Sequence, residues 1–129
     1  MAFGKKSNFD KAIADLTETI RLDSKDACAY CNRGIGYEKK GNHDSAISDF
    51  TEAIRLVANY GFAYYYRACA FEKKGDLDNA LIDLTDAIRL DPKDALAYYS
   101  RGIVYRKKRE QSKAAADFAQ AKEFGFKEK

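Results

Sequence analysis

Apolar side chains recur along this 129-residue chain with two superimposed periods. Within short segments they are spaced three and four residues apart, which is the pattern of a helix that buries one face. Ala12, Ile13, Leu16 and Ile20 have this spacing in the first segment. Over longer distances the pattern repeats every 34 residues, which is typical of a solenoid built from helical hairpins. The sequence therefore predicts an all-α fold in which each hairpin packs mainly on its neighbours.

The long period is visible in three segments that contain the end of one helix, a turn and the start of the next. They are TIRLDSKDACAYCNRGIGY at residues 19–37, AIRLVANYGFAYYYRACAF at residues 53–71 and AIRLDPKDALAYYSRGIVY at residues 87–105. We divide the chain accordingly into a truncated unit, consisting mainly of a second helix, and three complete units. Their bounds are 1–26 for the truncated unit and 27–60, 61–94 and 95–129 for the complete units.

Capping and turn residues fall at the expected places in each unit. Asp26 and Asp94 are predicted N-caps of the first helices that follow them. Gly41 and Gly75 mark the turns between first and second helices. Arg109 stands at the same position in the last unit, where a positive φ is less favourable for a side chain than for glycine. We expect that turn to be looser than the other two.

The truncated unit lacks the partner of its second helix. We expect Ser7 or Asn8 to cap that helix, and we expect Phe3 and the pair Lys5-Lys6 to belong to the end of a first helix, because they align with first-helix residues of the later units. Residues 12–22 keep an apolar face that nothing in the unit covers. This predicts that the array continues N-terminally or that the chain forms a homodimer through this unit.

The last unit has polar or small residues where the earlier units are apolar. Lys122 replaces the isoleucines at positions 20, 54 and 88, and Ala115 and Gln111 replace larger apolar residues. Since an exposed terminal unit needs such a surface, we expect residues 95–129 to cap the array.

Small residues at fixed positions predict closely packed hairpins. Gly34, Ala68 and Gly102 share one repeat position, and alanines share another in the second helices. The pattern of aromatic and small residues resembles the tetratricopeptide repeat. In residues 61–94, the residues that match the family pattern are Tyr64, Ala68, Phe71, Gly75, Ala80, Leu84, Ala87 and Pro92. Departures from the family pattern are Ser24 and Ala58 where proline is usual, and Arg33, Arg67 and Arg101 where leucine is usual.

The resemblance implies a right-handed superhelical solenoid of antiparallel helix hairpins, with the first helices lining a concave groove. It also implies a scaffold or adaptor that binds an extended peptide or a helix of a partner protein there. The candidate groove residues are Cys28, Cys31, Asn32, Ile35, Lys39, Phe62, Tyr65, Tyr66, Cys69, Lys73, Leu96, Tyr99, Ile103, Arg106 and Lys107. We expect Tyr65 and Tyr99 to be the most open to a ligand, and Phe62 and Leu96 to be more involved in packing.

One known form of this groove grips the C-terminal carboxylate of a chaperone tail with lysine, asparagine and arginine. The corresponding positions of the complete units hold Cys31, Ile35, Tyr66, Leu96 and Ser100. None of these is a residue of that type, so the sequence favours a hydrophobic or aromatic ligand with an acidic segment near Arg106 and Lys107.

The charge distribution leaves nucleic acid as a less favoured alternative. The chain carries a net charge of +3. Residues 95–129 contain nine lysines and arginines against four acidic residues, giving +5, whereas residues 61–94 contain five against seven, giving −2. A basic, aromatic surface suits stacking on bases, but the neighbouring acidic unit would repel phosphates. A self-associating array joined through the truncated unit is the other alternative.

Catalytic, metal and redox functions have little support in the sequence. Cys28-x-x-Cys31 and Cys69 supply three thiols, but zinc sites use four ligands, and the single histidine, His43, is expected in a turn. Asp83 and Asp86 are expected to be solvated on an outer helix. We therefore expect that the protein is not an enzyme and that it has no catalytic residue, no metal site and no cofactor. Three unpaired cysteines and the lack of a long apolar run predict a cytoplasmic protein with no membrane partner.

Overall fold

The computed structural model describes residues 2–127, with the side chains of residues 8–127. Over this range the chain forms helices joined by short turns, and no residue lies in a strand. The helices are α1 (Ala2–Leu22), α2 (Ala27–Lys39), α3 (His43–Leu56), α4 (Gly61–Lys73), α5 (Leu77–Leu90), α6 (Ala95–Lys107) and α7 (Gln111–Glu123). The predicted all-α fold is confirmed.

The helices pack as a one-dimensional array. In each pair α2–α3, α4–α5 and α6–α7, the first and second helices form a hairpin with the most extensive contacts in the molecule. Each hairpin then packs through its first helix on the second helix before it, in the pairs α1–α2, α3–α4 and α5–α6. The first helices α2 and α4 also touch. This arrangement is a helical solenoid in which every layer contacts only adjacent layers.

The caps and turns follow the sequence prediction. The Asp26 carboxylate accepts a hydrogen bond from the Ala29 amide at 3.0 Å and caps α2. Gly41 and Gly75 have φ angles of 84° and 85°, and Arg109 has a φ of 64° at the equivalent turn. Arg109 thus has a positive φ as expected, but its turn is not looser: the Arg109 and Glu110 amides donate hydrogen bonds of 3.0 and 2.9 Å, the same lengths as those of Gly41 and Asn42.

The N-terminal helix differs from the prediction. Asn8 lies inside α1, which is continuous from Ala2 to Leu22, so the expected cap at Ser7 or Asn8 is wrong. Ser7 stands at the repeat position of Gly41, and the chain remains helical there instead of turning. The side chains of Phe3, Lys5 and Lys6, which were expected in a first helix, lie outside the described residues.

Complementary side-chain sizes set the separation of the helices within each hairpin. A Cβ atom on Gly34 would lie 2.7 Å from Cε1 of Phe50, too close for a methyl group. The third hairpin repeats this pairing, with 2.7 Å between a Cβ on Gly102 and the Phe118 ring. In the middle hairpin the same positions hold Ala68 and Leu84, both buried. Glycine is thus found opposite phenylalanine, and alanine opposite leucine.

This pairing predicts the effect of one methyl group. The substitution Gly34→Ala should lower the free energy of unfolding by about 1–3 kcal/mol through overpacking, although alanine is intrinsically favoured over glycine in helices by roughly 1 kcal/mol. Urea denaturation of the variant measures the loss. Adding Phe50→Leu should recover stability relative to Phe50→Leu alone, because the pair then matches Ala68 and Leu84. A neutral or stabilising Gly34→Ala contradicts the steric argument.

A half-buried arginine joins three helices at each step of the array. Its guanidinium donates two hydrogen bonds of 2.8–2.9 Å to an aspartate on the second helix of the same hairpin and one of 3.0–3.3 Å to a threonine on the preceding second helix. The three sets are Arg33 with Asp49 and Thr17, Arg67 with Asp83 and Thr51, and Arg101 with Asp117 and Thr85. Each guanidinium also lies 5.7–5.9 Å from the centres of two aromatic rings.

The aspartates of these sets correct the expectation of solvated charge on the second helices. Asp83 is only 2% exposed, and the hydrogen bond to its carboxylate raises the pKa of the Arg67 guanidinium. Asp86, one turn further along α5, instead pairs with Arg89 near the surface. The two carboxylates that looked equivalent in sequence therefore have different roles.

Removing a buried carboxylate should be much more damaging than removing an exposed one. The substitution Asp83→Ala leaves the Arg67 guanidinium between the helices without its counter-charge, which typically lowers the free energy of unfolding by roughly 3–5 kcal/mol. Asp86→Ala on the same helix is the matched control and should change it by less than about 1 kcal/mol. Thermal and urea unfolding followed by circular dichroism compare the two. Equal effects of the two substitutions contradict the structural role assigned to Asp83.

Candidate functional site

The candidate groove residues lie on the first helices α2, α4 and α6 and differ widely in exposure. The exposed ones are Cys28, Asn32, Lys39, Phe62, Lys73, Leu96, Arg106 and Lys107. The half-buried ones are Ile35, Tyr65, Tyr66, Cys69, Tyr99 and Ile103. Cys31 is 2% exposed and belongs to the core between α2 and α4, so its side chain is not open to a ligand in the groove.

The exposed apolar centre of this surface is formed by Phe62 and Leu96. Their side chains are 71% and 46% exposed, although both are large and apolar. Together with Tyr65, Tyr66 and Leu90 they line a half-open cavity of about 330 Å³, which Asp91 and Asp94 border on one side. This cavity lies where α4 and α6 meet at their N-terminal ends.

Tyr65 is less available than the sequence suggested. Its hydroxyl accepts a hydrogen bond from Ser100 Oγ at 3.5 Å, which links α4 to α6. Its ring meets Tyr66 edge-on at 5.4 Å, and Tyr66 in turn stacks on Phe50 at 6.0 Å. Burial raises the pKa of the Tyr65 phenol. Tyr65 therefore has a packing role, which reverses the order of exposure expected for Tyr65 and Phe62.

Tyr99 is covered by a residue that the sequence interpretation did not identify. The ring of Phe126 stacks on Tyr99 with 4.0 Å between centroids, and Phe118 lies 5.4 Å away on the other helix of the hairpin. Gly125, with a φ of 99°, follows the end of α7, and the Phe126 amide then donates to the Ala121 carbonyl at 2.9 Å. The signal in the sequence was a glycine followed by an apolar residue after a helix, which is typical of a Schellman cap.

An open cleft of about 670 Å³ lies beside this aromatic pair. It is lined by Tyr99, Arg106, Phe118, Lys122, Phe126 and Lys127. Three of the six residues are cationic, so this end of the groove combines aromatic surface with positive charge.

Most of the other groove cations are already neutralised by neighbouring helices. Lys73 lies 3.6 Å from Glu38, and Lys107 forms an ion pair with Glu72. Arg106 differs, because its guanidinium lies 5.4 Å from the Phe118 ring centre and no carboxylate of residues 8–127 is paired with it. Of the two adjacent cations Arg106 and Lys107, only Lys107 is therefore paired with a carboxylate among residues 8–127.

The three cysteines occupy different environments. Cys28 is exposed, Cys31 is buried and Cys69 is half-buried. Burial raises the pKa of the Cys31 and Cys69 thiols. Among the residues described, no three histidine, cysteine or acidic side chains are grouped as a metal site requires.

This difference predicts selective thiol modification. At neutral pH, Cys28 should react with iodoacetamide on the order of ten times faster than Cys31 or Cys69, because access and thiolate fraction set the rate. Peptide mass spectrometry over a time course assigns the rates. The substitution Cys28→Ser should remove the fast phase, and Cys69→Ser should leave it unchanged. A fast phase that persists without Cys28 contradicts the assignment.

Comparisons with known proteins agree with this architecture. Residues 27–60 match the family model described as tetratricopeptide repeat, and residues 70–108 match the one described as TPR repeat. The chain belongs to the tetratricopeptide repeat family. A comparison with curated protein sequences found no match. None of the described helices has the length and apolar character needed to cross a membrane.

Several solved structures are similar to this tetratricopeptide repeat chain. The crystal structure of MamA superposes with a TM-score of 0.87 and 28% identity, over 90% of this chain and 68% of MamA. The TPR domain of Arabidopsis OM64 superposes with a TM-score of 0.75 and 29% sequence identity, over 77% of this chain and 82% of that domain. The second TPR of Spaghetti (RPAP3) was solved with the HSP90 peptide SRMEEVD. It superposes with a TM-score of 0.73 and 28% sequence identity, over 76% of this chain and 92% of that domain.

Proposed function

We propose that this chain is a scaffold or adaptor that binds an extended peptide or a helix of a partner protein in the groove formed by α2, α4 and α6. The observation that carries the proposal is the exposure of Phe62 and Leu96 around one cavity. Exposed apolar side chains that converge on a concavity are the usual anchors of a protein interface. The cavity accepts one apolar or aromatic side chain of the partner.

The charged residues along the groove favour one orientation of the bound ligand. Asp91 and Asp94 border the apolar cavity, whereas Arg106 lies toward the other end of α6. An acidic segment of the ligand is therefore attracted toward Arg106 and the adjacent Lys122, and is disfavoured near the cavity. Because Lys107 is paired with Glu72, Arg106 carries most of this preference.

The RPAP3 domain supports peptide binding by this fold, since it was solved with an HSP90 peptide. This chain differs at the positions that resemble the carboxylate-gripping sites of chaperone-tail binders, which here are apolar, aromatic or small. The proposed ligand is therefore held by an internal apolar side chain rather than by its C-terminal carboxylate.

The test is a comparison of two exposed apolar residues. Peptides selected from a random library on the wild-type chain should lose about tenfold or more in affinity with Phe62→Ala, as interface anchors do. Ile82→Ala is the matched control, because Ile82 is 59% exposed but lies on the second helix α5. Isothermal titration calorimetry gives the affinities, and circular dichroism checks that both variants stay folded.

Two results would contradict the groove proposal. One is unchanged affinity of the selected peptides for Phe62→Ala, and the other is an equal loss with Ile82→Ala. Phe62 is a better test position than Tyr65 or Tyr99, because substitution of either tyrosine also removes contacts to Ser100 or Phe126.

A further inference from the structure

Two thiols lie one helical turn apart near the start of α2. Cys28 and Cys31 are three residues apart in this helix, a spacing that places side chains next to each other on a helix surface. Cys28 is exposed, whereas Cys31 is 2% exposed and belongs to the core between α2 and α4. The pair therefore combines one thiol that a solute reaches with a second thiol that is shielded from solvent.

The repeat architecture does not require thiols at these two positions. The equivalent residues are Phe62 and Tyr65 in α4, and Leu96 and Tyr99 in α6. Both other complete units thus carry large side chains there and form the same hairpin. Packing of the solenoid therefore does not explain why α2 has two small, reactive side chains at these positions.

The neighbours of the two sulfurs bring them to one region. Tyr60, which precedes α4, packs against the core cluster that contains Cys31. Burial raises the pKa of the Tyr60 phenol, and the nearby Cys31 and Cys28 sulfurs raise it further, so one hydroxyl lies close to both thiols. The Asn32 side-chain amide donates a hydrogen bond of 3.5 Å to the Cys28 sulfur. This contact holds the sulfur toward the turn of α2 that contains Cys31.

The geometry of α2 is compatible with a bond between the two sulfurs. Residues three apart in an α-helix have Cα atoms about 5 Å apart, and disulfides span roughly 4.4–6.8 Å between Cα atoms. Their Cβ atoms are about 5–6 Å apart, compared with about 4 Å in a relaxed disulfide. The start of α2 must therefore adjust slightly when the bond forms. Strained disulfides are readily reduced, so the bond is expected to be reversible.

We propose that Cys28 and Cys31 form a peroxide-sensitive thiol pair that closes reversibly to a disulfide. The Cys28 thiolate attacks one oxygen of hydrogen peroxide, the O–O bond breaks, and a sulfenic acid and one water are formed. The Cys31 sulfur then loses its proton, attacks the sulfenic sulfur and releases a second water. The two thiols lose two electrons and two hydrogen atoms, and the peroxide is reduced to two waters. An accessible thiol beside a resolving thiol is the usual arrangement of such sites.

The third cysteine lies in a different environment and provides a matched control. Cys69 is half-buried in α4. Burial raises the pKa of its thiol, and the side chains that also act on it are Tyr65, Glu72, Lys73 and Glu38. None of these is a cysteine, so Cys69 has no resolving thiol beside it. The proposed pair is also independent of the groove function, since its chemistry needs no bound partner.

The test follows the oxidation state of each cysteine in the full chain. Reduced protein, freed of reductant, is treated with hydrogen peroxide at neutral pH, alkylated with iodoacetamide and digested with trypsin. The tryptic peptide of residues 26–33 contains Cys28 and Cys31 and no other cysteine. This peptide should appear without alkylation and lighter by two hydrogen atoms, and dithiothreitol treatment before alkylation should restore two alkylated thiols. Cys69 should remain alkylated throughout.

Variants assign the roles of the two thiols, and circular dichroism checks that each variant folds. Cys31→Ala should stop the reaction at the sulfenic acid, so dimedone should label Cys28 several-fold more than in the wild type. Cys28→Ser should leave Cys31 reduced, and Cys69→Ser should form the disulfide as the wild type does. Three outcomes overturn the proposal: wild-type Cys28 that only gains oxygen atoms, a disulfide that joins two chains or involves Cys69, or equal dimedone labelling with and without Cys31.

Discussion

The fork of hydrogen bonds from an arginine to an aspartate 16 residues later constrains this solenoid more tightly than its apolar contacts do. Apolar helix faces tolerate small slips, but a bidentate guanidinium–carboxylate pair forms only in one geometry. The net gain from a buried ion pair is small, whereas breaking one is severely destabilising. The Arg67–Asp83 pair therefore fixes the register of α4 against α5. Because Arg67 also reaches Thr51, the same residue fixes the packing of consecutive hairpins.

Steric fit works together with this electrostatic register. Gly34 and Phe50 can face each other only at one height along the hairpin, and the arginine beside Gly34 is bonded at that height. The two constraints leave the first helices little freedom to rotate. A rigid first helix keeps Phe62 and Leu96 exposed, whereas a mobile one would turn these apolar side chains inward. The exposure of Phe62 and Leu96 is thus a consequence of contacts made on the opposite sides of the same helices.

Sequence periodicity could predict the helices, caps and turns, because those depend on local spacing. Asp26, Gly41 and Arg109 lie at fixed distances from the apolar stripes, so their roles follow from a single unit. The burial of Asp83 could not be predicted from the sequence, because helical spacing alone cannot distinguish a position between two helices from one on an outer surface. The cover of Phe126 on Tyr99 was also missed, because it depends on how the chain turns after α7. Local patterns predict the fold, and contacts between units decide which groove residues are open.

The helices α1 and α7 carry chemically different residues at equivalent repeat positions. On α1, Asp15 and Leu22 are exposed at positions that elsewhere receive an arginine and an aromatic ring. On α7, Ala119 stands at the repeat position of Thr17, whose hydroxyl oxygen accepts a hydrogen bond from Arg33. This helix therefore lacks the oxygen that would receive an arginine from a following hairpin, and Lys122 further disfavours apolar stacking there.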